Sequence, residues 1–194
     1  MNCYTYQSPY VKSATVQLEI FDASNGKIGT IQRHYKTIFH SLFDMFCGRH
    51  SLLVSFKAFD ARDIQVIKTY KKNYWIAKPD YYIEFLEGEL KGSMFHACQK
   101  NFDVLNAEFK IISSNIEIHT KKSIMDGVKF YENGYEIGRW HSVIKEKFKT
   151  YIEVEEIASI QDPLFYAVLG QMLILLVTNF LMLENKTQPV MMNS

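Results

Sequence analysis

The stretch PLFYAVLGQMLILLVTNFLML, Pro163 to Leu183, decides how the rest of the chain is read. It is 21 residues without a charge, between Asp162 and Glu184. As a helix rising about 1.5 Å per residue it would reach about 30 Å, the thickness of a bilayer core or the width of a small domain. It is therefore either a membrane span or a helix enclosed by the rest of the protein. Asp162 and Pro163 form a helix start. The carboxylate can cap the first turn, and proline at the first helical position forfeits only an N–H that has no partner anyway.

Against a span stand Gln171 in mid-segment, Gly170 beside it, and Thr178 with Asn179. No Lys or Arg lies in the eight residues before Pro163, only Lys186 follows closely, and no Trp marks either end. A membrane helix usually carries basic and aromatic flanks. A soluble helix apolar on all sides must instead be wrapped by protein. The 160 residues upstream read as strands, enough for a barrel around it, and closure would remove exposed sheet edges. The expectation is one domain over residues 1–184 with residues 163–183 as its central helix. Residues 185–194 are expected to form a disordered tail.

The strand reading rests on period-two alternation and turn chemistry. Thr15 to Phe21 alternates Val16, Leu18 and Ile20 with polar residues, and Lys27 to Tyr35 resumes after Asn25-Gly26, a pair suited to the positive φ angles of a tight hairpin. Val128 to Tyr131 and Tyr135 to Val143 flank Asn133-Gly134 in the same way. Ser51 to Phe59, Tyr81 to Leu86, Met94 onward, Phe102 to Lys110, Ile111 to Thr120 and Lys149 to Ile157 continue the pattern. Ile38 to Gly48 fits a short helix or a broken strand equally. The Ile20–Gly29 and Lys129–Gly138 stretches resemble each other, and Glu84–Gly92 is a looser third copy.

Composition excludes several classes. With 22 Lys and Arg against 21 Asp and Glu, the net charge of +1 gives no overall field toward nucleic acid. Cys3, Cys47 and Cys98 are an odd number without paired spacing, which fits a reducing compartment. The start MNCYTYQSPY lacks a signal-peptide pattern. His34, His40, His50, His96, His119 and His141 form no metal-ligand spacing, so no cofactor or metal is expected. No catalytic constellation stands out, and the expectation is a non-enzymatic protein; a Cys–His site assembled in space is the enzyme alternative.

The paired hairpins at Asn25-Gly26 and Asn133-Gly134, each followed by Ile-Gly, together with Asp162-Pro163-Leu164-Phe165 opening an apolar helix, resemble the tubby C-terminal-like superfamily. That group includes tubby domains, phospholipid scramblases and LURP-one-related proteins. The likeness spans about residues 10–184. It implies a mainly β fold, a closed antiparallel barrel of about twelve strands enclosing a C-terminal hydrophobic helix. It also implies a binding or scaffold role, at an anionic phospholipid or an unidentified protein, in the cytoplasm and peripheral to the membrane surface. The rival is a tail-anchored protein with residues 163–183 in the bilayer. The most suggestive segment is Lys68-Thr-Tyr-Lys71-Lys72-Asn-Tyr-Trp75-Ile-Ala-Lys78, where lysines can meet lipid phosphates while Trp75 sits at the interface, or bind single-stranded nucleic acid by stacking. The same residues also fit an ordinary solvated hairpin. Lys145, Lys147 and Lys149, alternating with Glu146 and Phe148, read as the outer face of a strand.

Overall fold

A computed structural model of the chain describes residues 1–8, 15–35, 37, 54–72, 80–101, 108–123 and 127–173. Twelve strands run in chain order: β1 Asn2–Gln7, β2 Leu18–Asp22, β3 Lys27–Tyr35, β4 Val54–Asp60, β5 Gln65–Lys72, β6 Asp80–Phe85, β7 Met94–Gln99, β8 Glu108–Ile112, β9 Glu117–Ser123, β10 Gly127–Glu132, β11 Tyr135–Val143 and β12 Lys149–Val154. Each pairs antiparallel with its sequence neighbours, and β1 pairs with both β2 and β12, which closes the barrel. Closure gives every strand a hydrogen-bonded neighbour on both edges.

Helix α1, residues 163–173, lies inside. Its side chains from Phe165 to Leu169 are fully buried. Phe165 meets Phe85 and Phe95 at ring separations of 5.7 and 5.3 Å, and Tyr166 meets Phe130 edge-on at 5.1 Å. Asp162 Oδ1 accepts the Leu164 N–H at 2.8 Å, the cap expected from the sequence. Gly170 lets the indole of Trp140 lie on the helix, since a Cβ there would overlap the five-membered ring at Cδ1, Cγ and Nε1. These eleven helical residues face protein, not lipid, and no helix among the described residues is long and apolar enough to cross a membrane. Residues 174–194, including the expected tail, lie outside the described residues, as do Ile38 to Gly48 and Cys47.

The lumen is polar around Tyr6 and Thr150. Tyr6 Oη accepts hydrogen bonds from Trp140 Nε1 at 3.0 Å and Gln171 Nε2 at 2.7 Å. Thr150 Oγ1 shares 2.7 Å bonds with Ser8 and Ser142 beside it. One network thus joins β1, β11, β12 and α1.

Several boundaries differ from the sequence reading. β1, not anticipated, supplies the closing strand. Ile111 to Thr120 is two strand ends around a turn, because Ser113 donates its backbone N–H to Ile116 across Ser114-Asn115. The internal repeat has another third member. The hairpins β2–β3, β4–β5 and β10–β11 each carry a bulge and a left-handed residue, at Asn25, Asp63 and Asn133 respectively. Asp22 and Asp60 clamp their turns alike, each Oδ1 accepting two backbone N–H groups. The β6–β7 ladder around Glu84–Gly92 carries no bulge.

The barrel has two distinct ends. Tight turns join β2–β3, β4–β5, β6–β7, β8–β9 and β10–β11 at one end, the hairpin end, where α1 also enters. The connections β1–β2, β3–β4, β5–β6, β7–β8, β9–β10 and β11–β12 form the opposite, loop end.

Candidate functional site

Strand alternation sorts the lysines proposed from the sequence. On β5, Ile67, Thr69 and Lys71 share the inward parity, and all three are buried. Lys68 points outward and is exposed. Lys71 carries its ammonium 5.5 Å from the centre of the Tyr81 ring, just inside the loop end. A buried lysine in such a position leans on the ring's negative face as well as on polar neighbours. The backbone of Lys72 pairs with Asp80. Trp75 and Lys78 lie outside the described residues. The five residues therefore do not form one face: Lys68 belongs to the outer wall and Lys71 to the lumen.

What the sequence reading missed is Lys57. It sits directly opposite Lys68 across β4 and β5, on the same outer surface. Like charges directly opposite on a sheet repel, and neither lysine has an ion pair among the described residues. Lys57 also presses on His34 of β3, whose pKa is lowered first by burial and then by that neighbouring charge. The signal was available in principle, since Lys57 and Lys68 flank a hairpin, but the bulge between Ala58 and Phe59 shifts the register by one residue.

Beside this pair runs an aromatic ladder. Tyr70, Tyr82 and His96 occupy successive cross-strand positions on β5, β6 and β7. Their rings stack at 5.2 Å and 4.9 Å. Asp80 Oδ1 lies 3.0 Å from His96 Nε2 and fixes the ring, while the Tyr70 hydroxyl donates to the Met94 sulfur at 3.4 Å. The wall is thus rigid, with cations at one edge and flat rings across it.

Further round, Lys100 Nζ donates to His119 Nδ1 at 3.1 Å, and His119 Nε2 lies 2.8 Å from Glu117, which also holds Lys110 at 2.7 Å. The Lys110 and His119 contacts hold the Glu117 carboxyl below its usual range. Cys3 and Cys98 are free thiols. Cys98 has Asp80 and Lys110, not a histidine, as its cross-strand neighbours, and Cys3 faces Glu153. Burial raises the Cys3 pKa above the ordinary thiol value, the reverse of nucleophile activation. Among the described residues no group of His, Cys, Asp and Glu is arranged to hold a metal ion.

A family model described as Tubby C-terminal like domain matches residues 4–176, from within β1 to three residues past the last described one. Neither a curated protein nor a solved structure matches the chain.

Proposed function

Since the chain belongs to the Tubby C-terminal like domain family, we propose that it is a non-enzymatic binding module. Its ligand is the headgroup layer of an anionic phospholipid membrane, and it works as a peripheral protein of the cytoplasmic surface. The observation that carries this reading is the facing pair Lys57 and Lys68. Two cations held side by side on a rigid wall are stabilised by a phosphate between them, and each lysine near an anionic surface contributes about 1 kcal/mol to attachment. Lys72 ends the strand at the loop end, and Trp75 and Lys78 follow in the β5–β6 connection. In this reading Lys68, Lys72, Trp75 and Lys78 form the lipid contact with Lys57 added, while Lys71, buried in the lumen, takes no part in it.

The test is co-sedimentation with vesicles of phosphatidylcholine containing phosphatidylserine, at low and at physiological salt. The native chain is expected to bind anionic but not neutral vesicles, and more weakly as salt rises. Lys68→Glu with Lys72→Glu should weaken binding by about 25-fold or more, from two contributions of about 1 kcal/mol. Equal binding to neutral vesicles, or no effect of the double reversal, would refute the assignment.

A further inference from the structure

The net charge of +1 conceals a separation along the barrel axis. The hairpin end is acidic, with Asp63, Glu87, Glu89 and Glu156 exposed on its turns. Cations near that end are already engaged: Lys27 with Glu19, Arg62 with Asp60, and Lys91 with Glu87. Among the described residues the loop end carries more lysines than acids, the acids being Asp80, Glu108 and Glu146. Lys100, Lys121, Lys145 and Lys147 are exposed there, and Lys149 stands beside them. Lys121, Lys145 and Lys147 have no ion pair among the described residues.

The β11–β12 connection adds a second feature. After the 3-10 turn Ile144–Glu146, both Lys147 and Phe148 adopt left-handed backbone, with φ of 57° and 64°. Such a conformation is costly for residues other than glycine. It is held by the surroundings: the Lys147 carbonyl accepts from the Gln7 side chain, and the Phe148 carbonyl accepts the Ser8 N–H at 3.2 Å. The turn displays Phe148 at 38% exposure, between Lys147 and Lys149. Glu146, the acid within this run, is occupied by the Tyr151 hydroxyl at 2.5 Å. An exposed aromatic flanked by lysines suits the boundary between headgroups and acyl chains, where the ring is buried and the cations meet phosphate.

We propose that the β11–β12 connection is a second lipid contact and that the barrel docks end-on, its loop end toward the anionic bilayer and its hairpin end away. The inference rests on the lipid reading above. β5 and β11 stand six strands apart in a ring of twelve, on opposite sides of the barrel. A barrel whose axis points at the surface brings the loop ends of β5 and β11 to it together, whereas contact through the Lys57–Lys68 wall, midway along β4 and β5, would lay the barrel on its side. The acidic turns enforce the same polarity by repulsion from anionic lipid.

Two variants on exposed residues test it with phosphatidylserine-containing vesicles, their folding checked by circular dichroism. Lys121→Glu with Lys145→Glu should weaken binding by about 25-fold or more, although neither residue touches the Lys57–Lys68 wall. Phe148→Trp should show a blue shift of tryptophan emission on vesicle addition, relative to the native chain with Trp75 and Trp140. If the Lys121/Lys145 variant binds like the native chain while Lys68→Glu with Lys72→Glu is weakened, lipid binding stands and end-on docking is overturned. An unshifted Phe148→Trp emission on bound protein overturns it equally. A native chain that binds no anionic vesicle removes both proposals.

Discussion

Replacing Tyr6 by phenylalanine tests the joint between helix and barrel most directly. The ring is retained, so no cavity opens, and the change removes one oxygen that is fully enclosed. That oxygen accepts the Trp140 indole N–H and the Gln171 amide N–H. Each donor is then buried without an acceptor, which costs about 1–3 kcal/mol per group. The expected loss is about 2–6 kcal/mol, a large part of the roughly 5–15 kcal/mol typical of a folded domain. Urea unfolding followed by circular dichroism would read it as a lower midpoint at unchanged slope. Gln171→Met should destabilise the native chain yet recover roughly 1–2 kcal/mol when combined with Tyr6→Phe, because removing both partners leaves one orphan fewer. Alkaline pH gives a second readout. Burial pushes the Tyr6 pKa up to about 12 from 10.0, against the lowering effect of its hydrogen bonds. The folded chain therefore keeps a proton that the unfolded chain loses. This stabilisation is complete below about pH 10 and is lost as pH rises toward about 12, and Tyr6→Phe should remove that part of the slope. A variant within about 0.5 kcal/mol of the native chain would refute the argument, since that is the scatter of ordinary surface substitutions.

Other changes address the helix itself. Gly170→Ala places a methyl against the Trp140 ring and should cost about 3 kcal/mol by overpacking; a thermal midpoint equal to the native one would show that the indole is free to move. At Asp162, burial raises the carboxyl pKa against the lowering effect of the Leu164 and Phe165 backbone contacts. The folded state thus holds this proton to higher pH than the unfolded chain, so the group adds stability as pH falls and detracts from it at neutrality. Asp162→Asn keeps a capping oxygen without the charge and should match or exceed native stability at neutral pH, while Asp162→Ala should lose about 1 kcal/mol. Equal losses in the two variants would mean that the charge, not the cap, holds the helix start.

How far the sequence speaks depends on how local the cause is. Asn25-Gly26 and Asn133-Gly134 announce their hairpins because turn geometry is set by a few adjacent residues. Asp162-Pro163 announces the helix for the same reason, and charge-free length makes its burial legible. β1 is hard to see because Tyr4 and Tyr6 alternate with Cys3 and Thr5, a weak contrast, and the partners that make it a strand include one at the far end of the chain. Lys71 groups with Lys68 when charge alone is read, since charge suggests an outward side chain, yet its parity with Ile67 and Thr69 places it inside. Gly170 reads only as a break in an apolar run, because its fit to Trp140 exists only in three dimensions. The facing of Lys57 and Lys68 depends on a bulge, and the charge separation between the two ends depends on topology.

The position of α1 inside a ring closed by β1 and β12 also bears on the order in which the chain is made. Gln171 is synthesised 165 residues after its partner Tyr6. At typical elongation rates of about 5–20 residues per second that interval is roughly 10–30 s. Throughout it, strands with a finished apolar face have no core to cover and no closing neighbour. Contacts this distant in sequence form slowly, so the nascent sheet is a substrate for chaperones and an aggregation hazard until the helix emerges. Translation speed and chaperone supply should therefore govern the yield of this protein more than the stability of its finished barrel.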